Sequence, residues 1–347
     1  MTAHLFVTGA SGTLGGALVR HWQAEGRSVH AFVREGSRTD LFDESSARVH
    51  RGDLRDETAV RRAIRLAAQD AERAGEPLDV VHAGALISYR TRDAEESRVS
   101  NVKGTRHVVE SSAQCRARRL LFVSSVVAVG VADSAEGALD EDAEFNGSAL
   151  ACPYVTTKRA AEDFALAATP DLQVVVANPG AIYGPSPRIS NTTRFLLAVR
   201  DGALGPLLPP GSMGVVGLDD VVAGCAAALE LGRDRRRYIL NESNWLISEV
   251  VALARAAWGL PAQSGRRCPP ALWRAAVAGA GLVDRFRALD GLTPQSMRLL
   301  GEHFRFDGAR ARAELNWKPA PFADVLRRTV EWLRHSAPAD LEGARAS

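Results

Sequence analysis

Tyr154 and Lys158 stand four residues apart. On a helix, positions i and i+4 share a face, so a phenol and an ammonium would project together. A free phenol, with a pKa of about 10, is a poor acid–base group at neutral pH. A neighbouring cation favours the phenolate, so Lys158 is expected to lower the pKa of Tyr154 toward working pH. Upstream, Ser124 and Ser125 stand at the end of an apolar run, Leu120–Ser124. A hydroxyl there could orient a carbonyl group and stabilise negative charge developing on its oxygen. The tyrosine–lysine spacing alone is common, and most often marks a half-buried tyrosine beside a surface lysine. Its weight comes from what precedes it in the chain.

The segment Thr8-Gly9-Ala10-Ser11-Gly12-Thr13-Leu14-Gly15 follows a first apolar strand, His4-Leu5-Phe6-Val7, and opens a helix. Gly9 permits a tight turn, Gly12 lets backbone approach a pyrophosphate, and Gly15 allows close helix–strand packing. Together with Ser11, Thr13 and Leu14 they form a loop suited to a dinucleotide whose phosphates sit at the helix N-terminus. The residue closing the second strand distinguishes the nicotinamide cofactors. An acidic side chain there would bind a ribose 2′-hydroxyl; this chain has Arg34, with Ser37 and Arg38 close behind. A guanidinium fork suits a phosphate, so NADP(H) is expected in preference to NAD, which remains an option. Asp53 could accept from the adenine amino group, with Leu54 beside it. The small residues Ala83, Gly84 and Ala85 would let a cofactor lie against the sheet.

These residues need a frame. Short β-rich runs at His4–Val7, Ser28–Val33, Arg48–Arg51, Leu78–His82, Leu120–Ser124 and Gln173–Asn178 alternate with helices starting near Thr13, Glu57, Glu95 and Tyr154. Most of the strands are continuous apolar runs, as in a parallel sheet covered on both faces. The expected fold is α/β, a Rossmann-like doubly wound parallel sheet with a smaller, discontinuous C-terminal lobe. Residues 1–178 would form the cofactor domain. Prolines and glycines break the alternation after Asn178, and 179–212 with 242–336 would form the substrate lobe. The stretch 213–241 would return to the first unit, through a strand at Met213–Val216, a helix at Asp219–Leu231 and a strand at Tyr238–Asn241. Lobe helices are expected at Ser248–Trp258, Ala271–Leu289 and Pro321–Leu333, and 337–347 reads as a frayed tail.

Composition narrows the options. A hydrophobic content of 46%, a charged content of 24% and a net charge of +2 suit a globular core and suggest neither nucleic acid nor an anionic membrane as partner. The four cysteines form no CxxC pair, and the eight histidines show no ligand spacing, so no metal is expected. No secretory leader is visible, and the longest membrane-like stretch, Ala275–Val283, falls well short of the ~20 apolar residues of a span. A cytoplasmic protein with free thiols is the expectation.

With these motifs assembled, the chain resembles the extended short-chain dehydrogenase/reductases of the NAD-dependent epimerase/dehydratase group over essentially its full length. The pieces are TGASGTLG, GDL, VVHAGA, NVKGT, FVSSVVAVG, PYVTTK, NPGAIYGP, GLDDV and ELNWKPAPF. The resemblance implies that Ser125 is the family serine, with Ser124 a neighbour on the cofactor side. It implies that Pro179, Ala181 and Ile182 contact the nicotinamide end, and that homodimers form through helix pairs. Asn101, in the NVKGT segment, would brace the cofactor site or cap a helix.

Fold does not choose between reduction, epimerisation and dehydration. No arginine precedes Pro179, unlike the usual sugar-nucleotide epimerase, and Val126-Val127 replace the Asp-Glu pair of the dehydratases. The chain is closer to the branch of dihydroflavonol 4-reductase and 3β-hydroxysteroid dehydrogenase. Ile87, Ser88, Tyr89, Tyr183, Ile189, Phe195 and the Leu204–Pro210 stretch form the expected substrate face, largely apolar, with Arg188 and Arg194 the few candidate diphosphate donors. Trp273, Val277, Leu282, Val283 and Phe286 would make the 271–289 helix either core or a lid over an apolar substrate. An NADPH-dependent reductase of a small hydrophobic or aromatic ketone or aldehyde is therefore expected. The alternatives are a nucleotide-sugar epimerase holding NAD and a non-catalytic NADP sensor.

Arg34→Asp should weaken NADPH binding by about 2–3 kcal/mol, since it removes a charge-assisted contact and adds repulsion. Titration of both proteins with NADPH and NADH checks this, and equal wild-type affinity for the two would refute it.

Overall fold

The computed structural model describes residues 3–262, 266–286 and 293–336. Its first half is a run of strand–helix units: β1 (His4–Thr8), α1 (Thr13–Ala24), β2 (Val29–Val33), β3 (Ala47–Arg51), α2 (Glu57–Ala74), β4 (Leu78–His82), α3 (Ala94–Ser97), α4 (Gly104–Gln114), β5 (Arg119–Val123), α5 (Pro153–Leu166) and β6 (Gln173–Pro179). The second half holds β7 (Ala181–Tyr183), α6 (Asn191–Arg200), β8 (Leu207–Leu208), β9 (Ser212–Gly217), α7 (Leu218–Leu231), β10 (Arg236–Leu240), β11 (Ser243–Leu246) and α8 (Ile247–Trp258). It ends with β12 (Arg266–Arg267), α9 (Pro270–Phe286), α10 (Pro294–Leu300), β13 (His303–Phe304), α11 (Ala309–Glu314) and α12 (Phe322–His335).

Seven parallel strands form one sheet in the order β10-β6-β5-β4-β1-β2-β3. Side chains alternate between its faces. Leu5, Val7 and Val81 pack on one side with α1 and α7, while Phe6, Val80 and Val176 pack on the other with α2, α4 and α5. Both faces are thus dry, which is why these strands are apolar throughout. Strand order reverses between β1 and β4, and this opens a crevice at their C-terminal ends. A second core, around Tyr183, Leu196, Val250, Phe322 and Leu326, belongs to the lobe above that edge.

Two elements differ from the sequence expectation. The helix expected from Glu95 is broken: a six-residue π-helical stretch, Arg98–Lys103, separates α3 from α4. It sets Asn101 inward, and wide turns of this kind collect at functional sites. Strand β9 does not join the return to the main sheet; it pairs with β7, β11 and β13 in a small sheet of the lobe. The return is made by α7 and β10 alone. Of the expected 271–289 helix, residues 287–289 lie outside the described residues, as do the side chains of Val283 and Phe286 and the tail from residue 337. Among the described residues no helix is long and apolar enough to cross a membrane.

Three histidines are held neutral by the fold. His30 and His50, stacked with ring centroids 5.2 Å apart, are pushed down to about 4, mainly by burial. His82 is pushed down to about 3, again mainly by burial, with the Lys158 charge adding to it. The unfolded chain protonates such rings near their ordinary 6.5, so it binds more protons than the folded chain in mild acid. The stability they contribute is full above about pH 6.5 and is lost as the pH falls toward 4. Melting temperature, followed by circular dichroism from pH 8 to pH 4.5, should be level at first and then fall steeply below about pH 6.5. A level profile throughout would contradict this account.

Candidate active site

Above the β1/β4 crevice lies a cavity of about 790 Å³ that runs from the glycine loop to the underside of the lobe. Its floor depends on three glycines. Gly9 adopts φ +70°, and a Cβ there would meet the Gly84 backbone at 2.7 Å. A Cβ on Gly15 would overlap the Gly9 carbonyl. Only bare backbone lets the loops after β1 and β4 lie this close. Helix α1 begins at this point with no side-chain cap and no acidic residue in its first turn, leaving its N–H groups to an anion.

Gly9, Ser11, Gly12, Thr13, Leu14, Gly15, Arg34, Asp53, Leu54, Ala83, Gly84 and Ala85 line one end of the cavity; Ser124, Ser125, Tyr154, Lys158, Pro179, Ala181 and Ile182 line the other. The Ser124 hydroxyl is buried there without a hydrogen-bond partner among the described residues, an open polar position on the cavity wall. The Asp53 carboxylate already accepts from Arg55 Nε at 3.0 Å and Nη2 at 2.7 Å. Arg38 faces only a shallower side pocket beyond Arg34. A dinucleotide fits these residues: free helix N–H groups and glycines at one end, an unpartnered hydroxyl at the other.

Pro153, at the first position of α5, starts the helix that carries Tyr154 and Lys158. Lys158 Nζ donates to the Val123 carbonyl at 2.8 Å and lies 4.8 Å from the Phe122 ring centroid. Burial pushes its ammonium down to about 8, against the opposing pull of Glu162. Tyr154 meets Tyr89 edge-on, with centroids 5.8 Å apart. Burial holds the Tyr154 phenol above its ordinary value; Tyr89 and Cys152 add to this, and hydrogen bonding with Ser125 pulls the other way. The lowering expected of Lys158 is therefore not produced by the protein alone. Desolvation disfavours the phenolate by more than the nearby groups favour it.

Several sequence assignments move. Asn101 does not line the cavity and caps no helix: it bonds the Leu86 N–H at 2.7 Å, the Leu86 carbonyl at 3.0 Å and Thr157 Oγ1 at 3.1 Å, tying the loop after β4 to α5. Tyr183 points into the lobe core, edge-on to Phe322, with its hydroxyl on Met213 Sδ. Phe195, Leu204 and Leu208 pack in the same core and Ser88 bonds Asp93, so none of these lines the cavity. Ile87, Tyr89, Ile189, Arg188 and Arg194 do line it.

Met213, Ile247, Leu299, Leu300 and Phe304 complete the apolar wall. They come from four distant elements, and no local pattern could have gathered them. Glu162 was also missed, although its spacing was visible: Tyr154, Lys158 and Glu162 stand at i, i+4 and i+8. Fully buried, Glu162 accepts from Asn178 Nδ2 at 2.7 Å and pairs with Arg237 Nε at 2.6 Å.

A glycine loop at the switch point of a doubly wound sheet, facing a tyrosine–lysine helix, defines the short-chain dehydrogenase type of nicotinamide-dependent oxidoreductase. The chain belongs to the NAD dependent epimerase/dehydratase family, whose profile matches residues 5–240. It is similar to sterol demethylase protein B of Methylococcus capsulatus, with 32% identity over 334 residues covering 94% of this chain and 97% of the other. A putative dihydroflavonol 4-reductase of Synechocystis is 27% identical over 344 residues, covering 95% and 94%. Among solved structures, gox2253 superposes with a TM-score of 0.81 at 22% identity, covering 97% and 99%.

Tyr154→Phe keeps the ring and removes the hydroxyl. Turnover should fall by at least ~100-fold while cofactor affinity changes little. Steady-state kinetics beside a cofactor titration checks this, and retained turnover would assign the proton to another group.

Proposed function

We propose that this chain is an NADPH-dependent carbonyl reductase acting on a hydrophobic or aromatic ketone or aldehyde. The carrying observation is the apolar group that lines the cavity along with Tyr154 and Ser125, namely Ile87, Tyr89, Ile189, Met213, Ile247, Leu299, Leu300 and Phe304, beside the polar Ser190, Asn191, Thr192, Arg194 and Ser212. Such a wall gains by burying a carbon skeleton and offers little to a sugar diphosphate. Support comes from relatives named for a sterol and for a dihydroflavonol, both polycyclic compounds. Of the two arginines read as diphosphate donors, Arg188 is fastened on the glycine-loop side by Ser11 and Asp40, which leaves Arg194 for the substrate side.

In this reading the glycine loop and the start of α1 hold the pyrophosphate, Arg34 meets the 2′-phosphate, and Ser124 with Pro179, Ala181 and Ile182 frames the nicotinamide end. The bound cofactor supplies the hydride. Ser125 and Tyr154 together receive the substrate oxygen. Burial keeps the Tyr154 phenol protonated, the form needed to donate a proton as a carbonyl becomes an alcohol. Lys158 places a cation behind that phenol and favours its deprotonation once negative charge develops on the substrate oxygen. A homodimer completes the proposal, on the strength of the family resemblance.

A reductase must exchange its cofactor at every turnover, whereas an epimerase regenerates it in place. Purified protein should therefore release little nicotinamide on denaturation and should consume NADPH stoichiometrically with an apolar carbonyl compound. Absorbance assays with ketones, aldehydes and sugar nucleotides side by side test this. Near-full occupancy by NAD, with interconversion of a nucleotide sugar and no NADPH loss, would overturn the proposal.

A further inference from the structure

Arg188 belongs to the loop between β7 and α6, on the lobe side of the crevice, yet its guanidinium is fastened to the opposite side. Nε donates to the Ser11 carbonyl in the glycine loop at 3.3 Å, and Nη2 donates to the Arg38 carbonyl at 3.2 Å. Both terminal nitrogens reach the Asp40 carboxylate, which also accepts from Arg38 Nη2 at 2.6 Å. A second fastening lies beside it: Ser186 donates to Thr13 Oγ1 at 3.2 Å and accepts from the Arg188 N–H at 3.2 Å. The Arg188 side chain is only 15% exposed. It borders both the main cavity and the side pocket beyond Arg34, whose rim also carries Arg38 and Arg55.

The charges of this rim are unevenly committed. Arg55 is taken by Asp53, and Asp40 holds Arg38 and Arg188. The Arg34 side chain has no hydrogen-bond partner among the described residues. A phosphate dianion has more acceptor sites than one bidentate fork fills, and Arg188 carries a second guanidinium at the same pocket. We propose that Arg188 reads the ribose 2′-phosphate together with Arg34, and that Asp40 holds it in place until that phosphate arrives. This rests on the NADPH reading above and extends it to a residue of the substrate lobe. Arg188 then couples the cofactor to the reacting centre. Its loop runs into Asn191, whose Nδ2 donates to the Tyr89 hydroxyl at 3.2 Å, and Tyr89 packs edge-on against Tyr154. The phosphorylated cofactor would thereby add to the existing fastening between the lobe and the glycine loop and steady the wall beside Tyr154.

Calorimetric titration of the full chain with adenosine 2′,5′-bisphosphate and with 5′-AMP tests this without any turnover. Wild type should prefer the bisphosphate. Arg188→Ala should lose about tenfold in affinity for the bisphosphate and change little toward 5′-AMP, as expected for one charge-assisted contact. Asp40→Asn, which frees the guanidinium and removes a repelling carboxylate, should bind the bisphosphate a few-fold more tightly. Undiminished discrimination in Arg188→Ala, or an equal loss for both ligands, would overturn the role given to Arg188. So would weaker bisphosphate binding in Asp40→Asn. Wild type binding both ligands equally would instead defeat the NADPH reading, and the role of Arg188 with it.

Discussion

Everything at this site hangs on the approach of two loops, those after β1 and β4, at the place where strand order reverses. Gly9 and Gly84 meet backbone to backbone, at a separation that a Cβ on either would fill. That contact sets the depth of the crevice and aims the first turn of α1 across it. Gly15 then lets the helix settle onto the loop instead of standing away from it. The geometry of this loop is thus made by missing side chains, and it is rigid because the strands beneath are buried on both faces.

A buried polar chain carries this geometry to α5, the helix of Tyr154 and Lys158. The Gly84 N–H donates to Thr8 Oγ1 at 3.2 Å, and Thr8 lies 2.7 Å from His82 Nδ1. His82 Nε2 lies 2.9 Å from Thr105 Oγ1, which donates to the Asn101 carbonyl at 2.6 Å. Because the Thr105 proton is used in that bond, His82 must donate from Nε2 and accept at Nδ1, the neutral tautomer. Asn101 then bonds Thr157, between Tyr154 and Lys158 on α5. Fully satisfied buried networks of this kind hold one arrangement in place. The glycine loop and the Tyr154 phenol are therefore positioned by one connected structure, and the π-helical stretch at Arg98–Lys103 is what brings Asn101 into it.

Charge is handled in the same economical way behind the site. Lys158 is buried, and its ammonium is retained by the Val123 carbonyl, the Phe122 ring face and the field of Glu162. Glu162 is met in turn by Arg237 and Asn178, and Asn178 also holds the Ser125 carbonyl at 3.1 Å. A lone buried charge would be costly; a chain of pairs extending toward the surface makes it tolerable. Asn178 stands directly before Pro179, and Arg237 comes from β10 to supply a cation to the same buried carboxylate.

The glycine loop, the serine pair, Tyr154 with Lys158, and the doubly wound sheet were legible in the sequence because each depends on local spacing: tight turns need glycine, helices repeat at i+4, and strands dry on both faces are apolar throughout. Tertiary structure decided what depends on distant chain segments. It sent Tyr183 and Phe195 into the lobe core, because β7 pairs with β9 and turns that tyrosine toward Phe322. It gathered Met213, Ile247, Leu299, Leu300 and Phe304 into one wall from four separate elements. It also pushed the Tyr154 phenol above its ordinary pKa, since a phenol's pKa answers to the water excluded around it as well as to a neighbouring lysine. Spacing along the chain can say which groups share a helix face. How deeply a fold buries them, and what it sets opposite, is fixed only when remote segments pack.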